Sequence, residues 1–153
     1  MEKILKPTTV AEKRIRRADH LIYKAFPLVG DKRILLQSIV EIKKAVTCCI
    51  TSILQQEYLY KRIRLYKNPK SNFKTFAERC SKDYNITKEE IDSILELFEL
   101  AKKHEESPME FIKEGKIIIL SNNMESKTLT LEKAKKFLNV SRSILVKTLT
   151  KIK

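Results

Sequence analysis

Glycine is nearly missing from this chain: it occurs twice in 153 residues, at Gly30 and Gly115. Nucleotide cradles of the Rossmann or P-loop kind need clustered glycines, so both are excluded. Sheet-rich folds spend glycine on turns and are disfavoured for the same reason. Cysteine is also scarce and odd in number: Cys48, Cys49 and Cys80. None has the paired spacing of a structural zinc site, and adjacent Cys48 and Cys49 leave a helix on different sides. They read as small core residues in a reducing, cytoplasmic compartment. No metal site and no cofactor is expected. No apolar run approaches the ~18 residues of a membrane span, and the Met1-Glu2-Lys3 start is not that of a signal peptide. No membrane association is expected.

Acidic residues are lacking at both ends. Residues 1–75 hold 17 Lys and Arg against 6 Asp and Glu, and residues 127–153 hold 8 against 1. Residues 76–126 reverse the balance, 7 against 12, and the whole chain carries +13. Two readings follow. The basic ends face a polyanion, RNA or DNA, or the acidic middle packs between them and neutralises part of their charge. The second still leaves a large positive excess. An AT-rich genome or growth at high temperature also enriches lysine.

What is present is helical periodicity. The length suits a single domain, 1–153, expected to be mainly α: an antiparallel helical bundle of four or five main helices, with a small two-stranded β-hairpin before the C-terminal helix. Thr9 and Glu12 form a capping box that opens a helix over 10–26, with Ile15, Ala18, Ile22, Ala25 and Phe26 on one face. Pro27 interrupts it. From Lys32 to Tyr66 there is neither glycine nor proline. Leu35, Ile39, Ile42, Val46, Cys49, Ile53, Gln56, Tyr60 and Ile63 step by four and three, so one helix over 32–66, roughly 50 Å long, makes the spine. Residues 67–72 read as a loop, with Ser71 or Asn72 capping a helix over 73–84. Thr87 and Glu90 form a second capping box for a helix over 88–106, with Ile91, Ile94, Leu95, Phe98 and Ala101 inward. Ser107-Pro108-Met109-Glu110 reads as a third helix start, good for one or two turns to Gly115. A hairpin fills 116–130, and the last helix covers 131–152.

Four stretches are candidates for function. "LTLEKAKKFLNVSRSIL", residues 129–145, resembles the helix-turn-helix segments of excisionase-like and repressor domains, with Ser141 and Arg142 opening a recognition helix. Against this, Leu131, Leu138, Leu145 and Ile152 recur every seven residues. A real turn has no reason to keep helical phase across itself, so one unbroken helix is the preferred reading. The basic run at 58–74 interleaves Lys61, Arg62, Arg64, Lys67, Lys70 and Lys74 with Tyr58, Tyr60, Tyr66 and Phe73. That is the composition that phosphate contact plus base stacking uses; a solvated helix end is the plain alternative. Lys133, Lys135, Lys136 and Arg142 are candidates to assist it. A lone helix-end histidine, His104, has no evident partner.

Arg14 and His20, five residues between them, on a compact helical chain, resemble the R-x(4–6)-H motif of HEPN-type proteins. That resemblance implies metal-independent RNA cleavage at a dimer cleft, with His20 as general base and Arg14 stabilising phosphate charge. The family's motif sits in a late helix, and here it sits in the first. The segments "ADHLIYKAFPLV", "YKRIRLYK" and "LFELAKKHEESPMEFIKEGKIIILS" are similar to small uncharacterised all-helical archaeal proteins. This likeness implies an archaeal cytosolic origin and a helical bundle, and no activity. The reading that follows is a non-catalytic, basic nucleic-acid-binding adaptor, expected to be a homo-oligomer. A HEPN-like RNase and a protein-binding bundle are the alternatives.

Overall fold

The structure is a computed structural model that describes residues 2–107, 109–121 and 123–152, with side chains from Pro7 onward. Pro108, expected to open a helix, and Asn122, expected in the hairpin loop, lie outside the described residues. Helix α1 spans Glu2–His20 and continues through a π-helical turn, Leu21–Ala25, into the short α2, Phe26–Val29. Then follow α3 (Lys32–Leu59), α4 (Pro69–Thr75), a second π-helical turn (Phe76–Cys80), a 3-10 turn (Lys82–Tyr84) and α5 (Lys88–Glu106). Strands β1 (Met109–Lys113), β2 (Lys116–Leu120) and β3 (Ser126–Leu129) precede α6 (Leu131–Ile152). The chain is thus mainly helical, with a small antiparallel sheet before the last helix.

Helix α3 is central, packing chiefly on α1 and α6. Leu35, Ile39, Ile42, Val46, Cys49 and Ile53, the front of the expected seam, are buried, and Leu36, Ile50 and Leu54 widen it. Ala11, Ile15, Ala18 and Ile22 of α1 and Ala134, Phe137, Leu138, Ile144 and Leu145 of α6 complete the same core. Helix α6 is unbroken. No turn interrupts it, so the helix-turn-helix reading of 129–145 fails, and Val146 is 61% exposed. Val140 is half-buried mid-helix, packed against the core rather than in a turn.

Several expected boundaries move. Helix α1 begins before Thr9, with Pro7 inside it, so Thr9 is no N-cap. Pro27 does not interrupt the helix: the π-helical turn just before it absorbs the missing donor, and the stop comes at Gly30, whose φ is 73°. Asn68, not Ser71 or Asn72, caps α4, accepting from the Lys70 N–H at 2.8 Å with Pro69 in the first turn. Helix α5 matches 88–106, and Thr87 and Glu90 form the capping box reciprocally. Its inward face is rotated, however. Leu97 and Leu100 are buried, while Leu95 is 48% exposed.

The sheet has three strands, in order β1-β2-β3, not two. Residues 109–113, expected as a helical turn, pair with β2. Glu114 and Gly115, φ 52° and 75°, make the two-residue loop with both residues left-handed that suits a tight hairpin. That loop makes Lys113 and Lys116 a hydrogen-bonded pair, so Glu110 and Ile112 direct their backbone polar groups to the open edge. Lys32 of α3 donates to the Glu110 carbonyl at 3.0 Å. At the opposite edge, Lys133 of α6 donates to the Thr128 carbonyl at 3.0 Å. Each exposed edge therefore has a helix-borne lysine on it, which blunts pairing with another chain.

The spine ends seven residues short of the expected 66, and this shapes the basic region. Lys61 takes φ 59°. The Lys61 N–H bonds the Tyr58 carbonyl and the Arg62 N–H bonds the Glu57 carbonyl, both at 2.9 Å. These are the two bonds of a left-handed helix stop. The apolar contact that usually joins the two outer positions of such a stop is here an ion pair, Arg62 Nε to Glu57 Oε1 at 3.5 Å. A lysine in this conformation costs about 1 kcal/mol relative to glycine. Lys61→Gly is therefore expected to raise unfolding stability by about 0.5 kcal/mol after its unfolded-state entropy cost, and β-branched Lys61→Val to lower it. Urea unfolding checks both; destabilisation by Lys61→Gly contradicts the left-handed stop.

Candidate nucleic-acid interface

Once α3 stops, the chain has eight residues, 60–67, to reach the Asn68 cap. The Asn72 side chain closes this loop. Its Oδ1 accepts from the Tyr66 N–H and its Nδ2 donates to the Tyr66 carbonyl, each at 2.7 Å. Beneath the loop, buried Glu57 faces Arg62 and accepts from the Tyr84 hydroxyl at 3.5 Å. Phe73 packs tilted against Phe76 and edge-on against Phe98, ring centroids 5.7 Å apart in each case, and so seats α4 on the core. The result is an open groove of about 420 Å³, lined by Lys61, Arg62, Ile63, Arg64, Tyr66, Thr75 and Arg79.

Lys61, Arg62, Arg64 and Tyr66 are thus brought together as the sequence suggested. Lys67, Lys70 and Lys74 are exposed on the adjoining loop and α4 but do not line the groove. Arg79 and Thr75 were not anticipated. Arg79 lies outside the basic run, in the second π-helical turn, where Phe76 and Cys80 are buried and Arg79 is exposed at the groove. Among the described residues, Lys61, Arg64, Lys67, Lys70, Lys74 and Arg79 have no carboxylate within ion-pair distance.

The cations of α6 differ. Lys147 reaches Glu90 at 2.6 Å, Lys133 reaches Glu96 at 3.1 Å, and Arg142 reaches Asp19 at 2.7 Å. Lys135 lies over the Tyr23 ring, 5.3 Å from its centroid. Lys136 opens onto a groove shared with Glu89, Glu90, Asp92 and Glu96. Acids of α5 and α1 thus pair with three cations of α6, whereas the six cations of 61–79 named above have no such partner among the described residues.

Arg14 and His20 are separated. Arg14 donates to both oxygens of Glu41, at 3.0 and 3.3 Å, and Arg17 adds a contact at 3.4 Å. Glu41 is 1% exposed. His20 is exposed six residues further along α1, about 240° round the helix, so the two side chains leave on different faces. His104 does have a partner: its Nδ1 lies 2.5 Å from Glu110 Oε2. Burial pushes the Cys49 thiol up to about 12 and the Cys80 thiol up to about 11, with Glu57 and Asp83 adding to the second. Neither offers a thiolate at neutral pH. Among the described residues no group of three or more His, Cys, Asp or Glu could hold a metal ion, and no helix is long and apolar enough to cross a membrane. Comparison with protein-family models, curated proteins and solved structures gave no match.

Buried Glu41 and half-buried Glu90 set an acid limit. Burial raises the Glu41 carboxyl, but the hydrogen bond and charge of Arg14, with Gln37 and Arg17, outweigh it and hold the group below its ordinary value. Burial likewise raises Glu90, and bonds from Lys147, Ser143 and the Thr87 backbone bring it below. A carboxyl depressed on folding stabilises fully above its unfolded value, about 4.3, and loses that contribution as pH falls through the lower folded value. Stability should therefore drop on the acid side. Glu41→Gln should cost about 2 kcal/mol at pH 7 and shrink the pH 7 to pH 3 difference, read from urea midpoints. An unchanged difference refutes the role given to Glu41.

Proposed function

We propose that this protein is a basic helical adaptor that binds nucleic acid, RNA or DNA, through the 61–79 groove, without catalysis. The observation that carries this reading is the division of its positive charge. Lys61, Arg64, Lys67, Lys70, Lys74 and Arg79 lie exposed on the loop, α4 and the second π-helical turn with no carboxylate partner among the described residues, while Lys133, Arg142 and Lys147 of α6 are paired with carboxylates of α5 and α1. Clustered like charges repel one another in the free protein, and a phosphate chain relieves that repulsion while releasing its own counterions. In this reading the helices form an antiparallel bundle whose task is to hold the loop. The HEPN-like alternative is less well supported, since Arg14 is committed to buried Glu41 and His20 stands apart from it.

Lys61→Gln, Arg64→Gln and Lys67→Gln combined should weaken binding and flatten the slope of log K against log salt by about 2. Lys135→Gln with Lys136→Gln should leave that slope nearly unchanged. Fluorescence anisotropy of a labelled oligonucleotide across a salt series measures both. An unaltered slope in the triple variant removes the groove from the account.

A further inference from the structure

Cations hold a phosphate chain whether it is single or paired. Aromatic rings discriminate, because only an unpaired base is free to lie on a ring. Three tyrosines stand around the basic loop, Tyr58, Tyr60 and Tyr66, at 52%, 62% and 50% exposure. Two are held in position. The Tyr66 backbone is gripped on both its polar groups by the Asn72 carboxamide. The Arg62 guanidinium lies 4.8 Å from the Tyr60 ring centroid, and Arg62 is itself anchored on buried Glu57. Residues 64–66 run outside any helix. Ile63, which also packs against the core, lines the groove together with Arg62, Arg64 and Tyr66.

We infer that the groove takes a single-stranded nucleic acid, with phosphates on Lys61, Arg64 and Arg79 and bases stacked on Tyr66 and Tyr60. This rests on the nucleic-acid reading above. A duplex reader needs an element to enter a groove. Among the described residues, α4 beside the patch has seven residues before its π-helical turn, and Lys133 and Lys147 of α6 are held by Glu96 and Glu90 of α5. A backbone held in this way also loses little freedom on binding, which favours affinity. RNA and DNA single strands share the chemistry used, phosphates and unpaired bases.

The chain has no tryptophan, so tyrosine emission reports stacking directly. The full chain is titrated with oligouridylate, oligothymidylate and a mixed-sequence DNA duplex of equal length. Both single strands should quench the emission, and the tighter of the two identifies RNA or DNA as the source. Tyr66→Leu should weaken single-strand binding about tenfold without changing the salt slope, since no charge is removed. Tyr60→Leu should do likewise. Asn72→Ala should produce a smaller loss, the ring remaining but its backbone released. Unchanged urea midpoints in the two tyrosine variants verify that the fold persists. Single-strand affinity unmoved by both tyrosine variants, or a duplex bound as tightly as the single strands, overturns the inference and leaves the nucleic-acid reading standing. No binding of any of the three at low salt overturns that reading as well.

Discussion

A carboxylate cannot stay dry inside a protein without a cation or a full set of donors, and α3 buries two. Glu41 draws Arg14 and Arg17 down from α1, and so sets how the first helix lies against the spine. Glu57, sixteen residues on, draws Arg62 back across the end of its own helix and takes the Tyr84 hydroxyl from the segment that follows. That second attachment stands where a stop normally has an apolar contact. It explains why the helix turns left-handed at a lysine, with no glycine to ease the conformation. The loop that presents the basic groove is therefore a consequence of one buried acid.

The same rule governs the rest of the charge. Glu90 closes the capping box of α5 and also binds Lys147 and Ser143 of α6, so one side chain starts a helix and ties it to another. Glu96 and Glu99 extend the tie through Lys133 and Lys127. Partly exposed pairs of this kind contribute little each. Their weight lies in the distribution they leave: Lys127, Lys133, Arg142 and Lys147 are matched, while the cations of 61–79 other than Arg62 have no carboxylate partner among the described residues. The acidic middle does pack against part of the C-terminal basic segment, as one reading of the basic–acidic–basic pattern expected.

Some of this was legible in the sequence, because local chemistry carried it. Thr87 with Glu90 marks the start of α5, and the seven-residue leucine spacing marks α6 as one helix. The end of α3 was not legible. Its signals are the Glu57 ion pair and a lysine in a glycine conformation, and neither leaves a breaker residue at 59–61. Strand β1 was concealed by Ser107-Pro108, which imitates a helix start. Glu114-Gly115 between two five-residue β-forming runs was the signal for a hairpin there. At the site, the cluster of 61–66 was readable as composition, whereas Arg79 joins it from the second π-helical turn, outside the basic run.

The central claim is that charge left unmatched by the packing, at the loop after α3, is what meets the ligand. The most direct measurement is a backbone amide NMR titration with a single-stranded oligonucleotide at low salt. The account predicts shifts confined to residues 60–67 and 74–79, with the 133–147 face of α6 unmoved. Shifts concentrated on α6, with the loop silent, would contradict it.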